Sequence, residues 1–332
     1  MEVYNVSLRE IENRGLPRQS RVMCIGTFDG VHIGHQRLIN EAKVIAEESG
    51  MSLCVLTFRN HPLKVLSPNE APKLLTTVKE KLLMLSQLGV NECLLVEFDS
   101  ALAGMRAVEF CELLSEALSV RVLVMGESSS IGCGRDGTAE RLHRMSGEGK
   151  LKVEIVVVEP ARLGRSIVSS SWIRSELIRG HVRLAQMMLN RPYSLTGTVV
   201  AGRALGRRIG FPTINLQLDE EKLLPRFGVY AGIAEAEDFA TQYHMVANIG
   251  MRPTVGGECA SVEAHIVNEQ VEVGYGREVT LYLLYFLRPE RQFQSLKELA
   301  NQIGHDVERA RKLLHSRLAN SFRGAHRCIS SV

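Results

Sequence analysis

The apolar residues of this chain change period partway along, and that change restricts the fold more than any other feature. Up to Arg174, apolar runs at Val22–Ile25, Leu53–Phe58, Cys93–Phe98, Val120–Met125 and Val153–Val158 alternate with helical spacing at His35–Glu48, Val78–Leu88 and Ala107–Leu118. Apolar strands separated by helices of that length predict a parallel sheet with helices on its faces. Ser175–Leu189 reads as one or two short helices, closed by Arg191-Pro192. From Tyr193 onward the pattern is short strands punctuated by Gly and Pro, at Leu195–Ala201, Ile214–Leu218, Val229–Glu235, Tyr243–Ile249, Ala260–Val267 and Val279–Phe286. That texture predicts a small antiparallel β-barrel, followed by a helix over Ser295–Ser316 and a frayed tail from Arg323. With 332 residues the chain exceeds the usual size of one core, and the expected domains are 1–186 and 187–332.

Composition narrows the function classes. A net charge of +3 is too small to imply a nucleic-acid partner. No stretch approaches the ~20 apolar residues that span a bilayer, and the acidic, non-apolar N-terminus is no secretory signal. Seven cysteines show neither a CxxC pair nor metal-ligand spacing, and several sit in apolar runs. Free thiols of that kind predict a reducing, cytoplasmic setting.

Residues 26–35, GTFDGVHIGH, lie between a strand and a helix start. Gly26, Gly30 and Gly34 allow close backbone approach to an anion or a positive φ. Phe28 and Asp29 complete the turn and are expected, with the three glycines, to bind the nucleotide, and His32 and His35 can face one ligand across the first helical turn. The site suits attack on the α-phosphate of a nucleoside triphosphate, with imidazoles and helix amides neutralising the developing charge. Further on, Ser169-Ser170-Ser171-Trp172-Ile173-Arg174 offers hydroxyls for a helix start or for phosphate, and Arg174 offers a bidentate fork.

A second constellation falls in the barrel half. Residues 202–210, GRALGRRIG, form a basic Gly-rich stretch that could wrap a triphosphate through backbone amides, Arg207 and Arg208. Gly206 and Gly210 punctuate it. Pro212 then stiffens the chain, and Thr213 and Asn215, two apart on a strand, point the same way; an oxygen pair there suits Mg²⁺. Glu263, in SVEAHIV, reads by itself as a solvated strand residue.

The decamer resembles the H-x-G-H signature of nucleotidyltransferases. With SSSWIR, the run from Asn190 to Leu216, LLPRFGVYAG (223–232), NIGMRPTVGG (248–257), VEAHI (262–266) and FLRPERQF (286–293), it resembles the bacterial bifunctional riboflavin kinase/FAD synthetase family from about residue 15 to residue 315. The resemblance implies a Rossmann-like nucleotidyltransferase domain followed by a riboflavin kinase barrel. It implies ATP-dependent phosphorylation of riboflavin to FMN and adenylylation of FMN to FAD, with ATP and Mg²⁺ in both. It assigns magnesium and phosphate contacts to Thr213 and Asn215, and to Glu263 the base that takes the ribityl 5′-hydroxyl proton. His32, His35, Ser170, Ser171 and Arg174 would hold the other triphosphate. Arg288 and Phe293 would hold the flavin or pack the last helix, and His265 would be structural.

Two departures from the family fall in the first half. Arg59 stands in Thr57-Phe58-Arg59-Asn60-His61-Pro62 where the family has an acid. Ser128 stands in Gly126–Gly132 where the family has Asp or Asn followed by F-x-F-G. Both predict weakened or altered FAD synthesis sooner than a failed kinase. The alternatives are a kinase with a degenerate adenylyltransferase domain, or a flavin-sensing regulator without turnover.

Overall fold

The computed structural model describes residues 1–7, 10–11, 19–202, 205–237, 242–254, 257–267 and 273–318. Residues 203–204 of the Gly-rich stretch and the tail from Arg323 lie outside them. Grouped by packing, the chain divides into two compact units, Met1–Ser170 and Ser171–Val332.

The first unit is built on six parallel strands: β1 (Glu2–Val6), β2 (Arg21–Ile25), β3 (Ser52–Phe58), β4 (Glu92–Val96), β5 (Val120–Gly126) and β6 (Glu154–Val158). Their order in the sheet is β1-β4-β3-β2-β5-β6. Successive side chains of a strand point to opposite faces, and the two cores follow from that. On one face Val22, Cys24, Leu53 and Val55 pack with Leu38, Ile39 and Ala42 of α1 (Ile33–Ser49) and Leu85 of α2 (Val78–Gln87). On the other, Met23, Cys54 and Leu56 pack with Phe110, Cys111 and Leu114 of α3 (Ala107–Ala117) and Leu142 of α4 (Ala139–Gly147). After β2 the chain builds outward through β3 and β4, then returns to place β5 on the other side of β2. That reversal puts the loop after β2 at a topological switch point, where open α/β sheets bind ligands.

The second unit begins with α5 (Ser170–Arg179) and α6 (Val182–Leu189). Six antiparallel strands follow: β7 (Tyr193–Val200), β8 (Ile214–Leu218), β9 (Gly228–Ala236), β10 (Tyr243–Thr254), β11 (Gly257–Ile266) and β12 (Glu278–Pro289). They close a barrel in the order β7-β8-β11-β10-β9-β12. A single turn, α7 (Leu205–Arg208), lies between β7 and β8, and α8 (Leu296–Leu318) ends the described chain. Along β9, Val229, Ala231 and Ile233 join Val307, Ala310 and Leu314 of α8 in one apolar cluster. The alternate residues Tyr230 and Ala234 are fully buried on the opposite face.

By packing, α5 and α6 go with the barrel, upstream of the boundary expected between 186 and 187. The Arg226 amide donates to the Leu177 carbonyl at 2.9 Å, and the Arg183 guanidinium lies 5.2 Å over the Tyr285 ring.

Candidate functional site

β2 ends at Ile25, and residues 26–32 turn the chain from the sheet's carboxyl edge into α1. Gly30 takes φ 82°, and Phe28 and Val31 hold left-handed φ values of 48° and 39° although neither is glycine. Such conformations cost about 1–3 kcal/mol each; here complete burial of both side chains and a Val31 amide bond to the Phe28 carbonyl fix them. His32 is the N-cap of α1, its Nδ1 accepting the amides of Gly34 at 3.1 Å and His35 at 3.4 Å. A neutral imidazole that accepts through Nδ1 carries its proton on Nε2, so His32 caps the helix and presents a donor at once. His35 stacks on it with ring centroids 3.7 Å apart and meets Phe28 edge-on at 5.2 Å. A Cβ on Gly34 would lie 3.0 Å from the His32 ring, so glycine leaves room for the imidazole. Together these groups make a positive helix end lined with ring N–H groups, which suits an anion.

The buried carboxylate of Asp29 accepts the amides of Leu75 at 2.9 Å and Thr76 at 3.0 Å, and the Thr76 hydroxyl at 3.3 Å. The Thr76 hydroxyl oxygen in turn accepts the Gly30 amide at 3.0 Å. Asp29 therefore fastens the loop to the segment entering α2. The Ser170 hydroxyl donates to the Asp29 carbonyl at 2.8 Å, which brings the first hydroxyl of the helix start to the same loop. Ser171 and Arg174 continue α5 and fall in the second unit.

Sequence reasoning missed Lys81. This lysine of α2 is 6% exposed, and burial pushes its ammonium down to about 8, against the upward pull of Asp29. Its Nζ donates to the Thr27 carbonyl at 3.2 Å, the Thr57 hydroxyl at 3.0 Å and the Phe58 carbonyl at 2.7 Å. A lysine in an amphipathic helix reads as a solvated residue, and only the tertiary structure reveals its burial.

The two departures resolve as follows. Arg59 sends Nη2 to the Asn5 Oδ1 of β1. Asn60 bonds both backbone groups of Phe98, each at 2.8 Å. Ser128 is exposed.

In the barrel, residues expected to form a wrapping loop form the helical turn α7, closed by Gly210 at φ 84°. The Phe211 amide donates back to the Gly206 carbonyl at 2.8 Å. Pro212 leads into β8, and its carbonyl accepts His265 Nδ1 at 2.8 Å; the Phe211 and His265 rings meet edge-on at 5.4 Å. The register pairs Asn215 with Glu263, and Glu263 with Asn248 on the next strand. Directly opposed residues of antiparallel strands share a face, so Asn215, Glu263 and Asn248 form one polar row. Val229 extends that row onto β9 and joins the cluster under α8. That row thus lies on the barrel's helix-covered face, not in its interior. Asn248 Nδ2 donates to Glu290 at 3.4 Å, bringing in a carboxylate the sequence did not single out. Arg288 packs the last helix: its guanidinium makes a two-armed pair with Asp306 at 2.8–3.1 Å and lies 5.7 Å over Phe293. Among the described residues no group of three His, Cys, Asp or Glu is placed to hold a metal.

Comparisons agree with both halves. An FAD synthetase family model matches residues 17–172, and a riboflavin kinase family model matches residues 189–314. The chain is 36% identical over 293 residues to a bifunctional riboflavin kinase/FMN adenylyltransferase of Bacillus subtilis (strain 168), covering 87% of this chain and 91% of that one. The enzyme of the same name from Escherichia coli (strain K12) is 35% identical over 301 residues, covering 89% and 93%. Among solved structures, a macrolide-efflux protein from Streptococcus pneumoniae superimposes with a TM-score of 0.82 at 30% identity, covering 92% of this chain and 98% of that one. In the described residues, no helix is long and apolar enough to cross a membrane.

Proposed function

The chain belongs to the bifunctional riboflavin kinase/FMN adenylyltransferase family, and from that membership we propose how its parts divide the work. It is an enzyme of flavin-cofactor synthesis that converts riboflavin to FMN and FMN to FAD at the expense of ATP. Residues 1–186 carry adenylylation and residues 187–332 carry phosphorylation. The observation behind this division is that the two family matches fall on either side of residues 173–188. One covers the sheet with the His32 loop, the other the barrel with Glu263.

In adenylylation the FMN phosphate is the nucleophile and is already ionised, so no general base is required. His32 through Nε2–H and His35 hold the triphosphate at the positive end of α1 and offset charge on the α-phosphate and on departing pyrophosphate. Gly26, Gly30 and Gly34 let the backbone come close, and Ser170 holds the loop by its Asp29 carbonyl. In phosphorylation Glu263 accepts the proton of the ribityl 5′-hydroxyl as that oxygen attacks the γ-phosphate, and ADP leaves.

The donors near Glu263 fit Mg²⁺: Thr213 and Asn215 offer hard oxygens, few in number, as a cation that keeps waters and phosphate oxygens prefers. Bound there, Mg²⁺ would neutralise charge on the triphosphate. Asn215 is held against Gly202, where an added Cβ would lie 2.2 Å from its Nδ2. A reducing cytoplasm is part of the same reading, since the Cys24, Cys54, Cys93 and Cys111 thiols are buried and burial raises the pKa of each.

The test is an assay of both reactions in two variants, with flavins separated by chromatography. Glu263→Gln should cut FMN formation by roughly 10²–10⁴-fold and leave adenylylation of supplied FMN intact. His32→Ala should do the reverse. Loss of both activities in either variant would refute the division.

A further inference from the structure

Strand β11 runs on to Ile266, past the end of its pairing with β8. Their ladder joins Leu216 to Val262, Asn215 to Glu263 and Ile214 to Ala264, and β8 begins at Ile214. One step further the register would set Thr213 opposite His265, yet the tie found there comes from a side chain. His265 Nδ1 lies 2.8 Å from the Pro212 carbonyl oxygen. A carbonyl only accepts, so Nδ1 carries the hydrogen and the imidazole donates. We propose that His265 is a positioning residue for phosphorylation, whose Nδ1–H fixes the peptide joining Pro212 to Thr213 and so sets the direction of Thr213. The inference deepens the phosphorylation reading given for the barrel, in which Thr213 contacts phosphate and magnesium, and rests on it.

His265 is itself well anchored. Its backbone is paired with Val246 of β10, on the side of β11 away from β8, and its ring meets Phe211 edge-on at 5.4 Å. Phe211 in turn packs against the apolar cluster under α8. The Pro212 carbonyl belongs to the rigid plane that also holds the Thr213 amide, and Pro212 has a fixed φ and no N–H to offer a ladder. Holding that oxygen therefore orients Thr213 just beyond the paired residues. From the other side the α7 turn closes on the same segment, since the Phe211 amide donates to the Gly206 carbonyl at 2.8 Å and Gly206 leaves room for the Thr213 methyl. Two residues back along β11, on the same face, stands Glu263. The proposed base and the residue that sets Thr213 thus share one strand face, and small errors between such groups cost rate steeply.

The experiment compares His265→Phe, which keeps a ring but no donor, with His265→Asn, which keeps an N–H near the Nδ1 position but no ring. Riboflavin phosphorylation, adenylylation of supplied FMN and backbone hydrogen exchange without nucleotide are measured on each full-length chain. In His265→Phe the KM for Mg·ATP should rise about tenfold, with the KM for riboflavin within about twofold of wild type. Residues 211–216 of that variant should exchange about tenfold faster. His265→Asn should stay within about threefold of wild type in both readings. FAD formation from supplied FMN should be unchanged in both variants. A loss of folded protein alone would lower kcat and leave the KM for Mg·ATP where it was. A His265→Phe protein with wild-type KM and exchange would overturn the proposal, as would a His265→Asn protein as impaired as His265→Phe. If His265→Phe does not fold, His265→Ala against His265→Asn decides by the same readings. A wild-type chain that makes no FMN from riboflavin would remove the phosphorylation reading, and the proposal with it.

Discussion

At Gly206 a side chain would meet its own backbone. A Cβ there would lie 2.2 Å from the Phe211 carbonyl oxygen and 3.3 Å from the Thr213 methyl. Glycine is therefore set by close approach, not by flexibility, since the residue sits inside a helical turn. Gly206→Ala should displace the Phe211–Thr213 segment and slow FMN formation by roughly 100-fold. FAD formation from supplied FMN should be unchanged, which steady-state assay of the two reactions will show. Asp29 illustrates the opposite limit on reading single residues. A carboxylate in a Gly-rich loop invites a ligand contact, yet three donors from residues 75–76 surround it. Those donors belong to a segment some 46 residues away in sequence, and no local pattern discloses them. The histidines were legible because the N-cap position and the three-residue spacing are local.

The elements found from sequence were those whose apolar residues carry a clear period. α1, α2 and α3 bury one face, and β2 to β6 are apolar runs. Two of the elements missed in the first unit lack that signal. β1 is an edge strand with only Val6 buried, and α4 buries only Ala139 and Leu142. At the other end of the sheet from the His32 loop, Arg21 of β2 and Glu92 of β4 form a buried pair, with Nε 2.5 Å from Oε2. Arg21 Nη1 also donates to the Leu118 carbonyl at 2.7 Å. Removing one partner of such a pair leaves a buried charge alone and costs about 3–5 kcal/mol. Glu92→Gln should therefore lower the protection of β2 and β4 amides in hydrogen exchange by that amount, with barrel amides unaffected. Equal loss in both units would mean that the pair does not act within its own sheet.

At the scale of the whole chain, the change of period near Arg174 separated a sheet from a barrel before any contact was known. The barrel's strand order and the face carrying its site were not legible. Both depend on register, which pairs Asn215 with Glu263 and Glu263 with Asn248 across residues far apart in sequence. The packing boundary at Ser170 was likewise hidden, because α5 and α6 have the same helical texture whichever unit they join. What the architecture does determine is that the groups proposed for chemistry on riboflavin, Thr213, Asn215 and Glu263, all lie in the barrel unit. His32 and His35 lie in the sheet unit, each set supported by its own core. On the proposed division each set works on its own, with FMN a free small molecule that leaves one reaction as product and enters the other as substrate. Mixing His32→Ala chains with Glu263→Gln chains should therefore restore conversion of riboflavin to FAD, though neither variant makes FAD from riboflavin alone. FMN should accumulate first and FAD should follow after a lag that shortens as the Glu263→Gln chain is increased. One ADP and one pyrophosphate should be released per FAD. Chromatography of the flavins over time measures this directly, and a mixture that stops at FMN would show that adenylylation requires FMN made on the same chain.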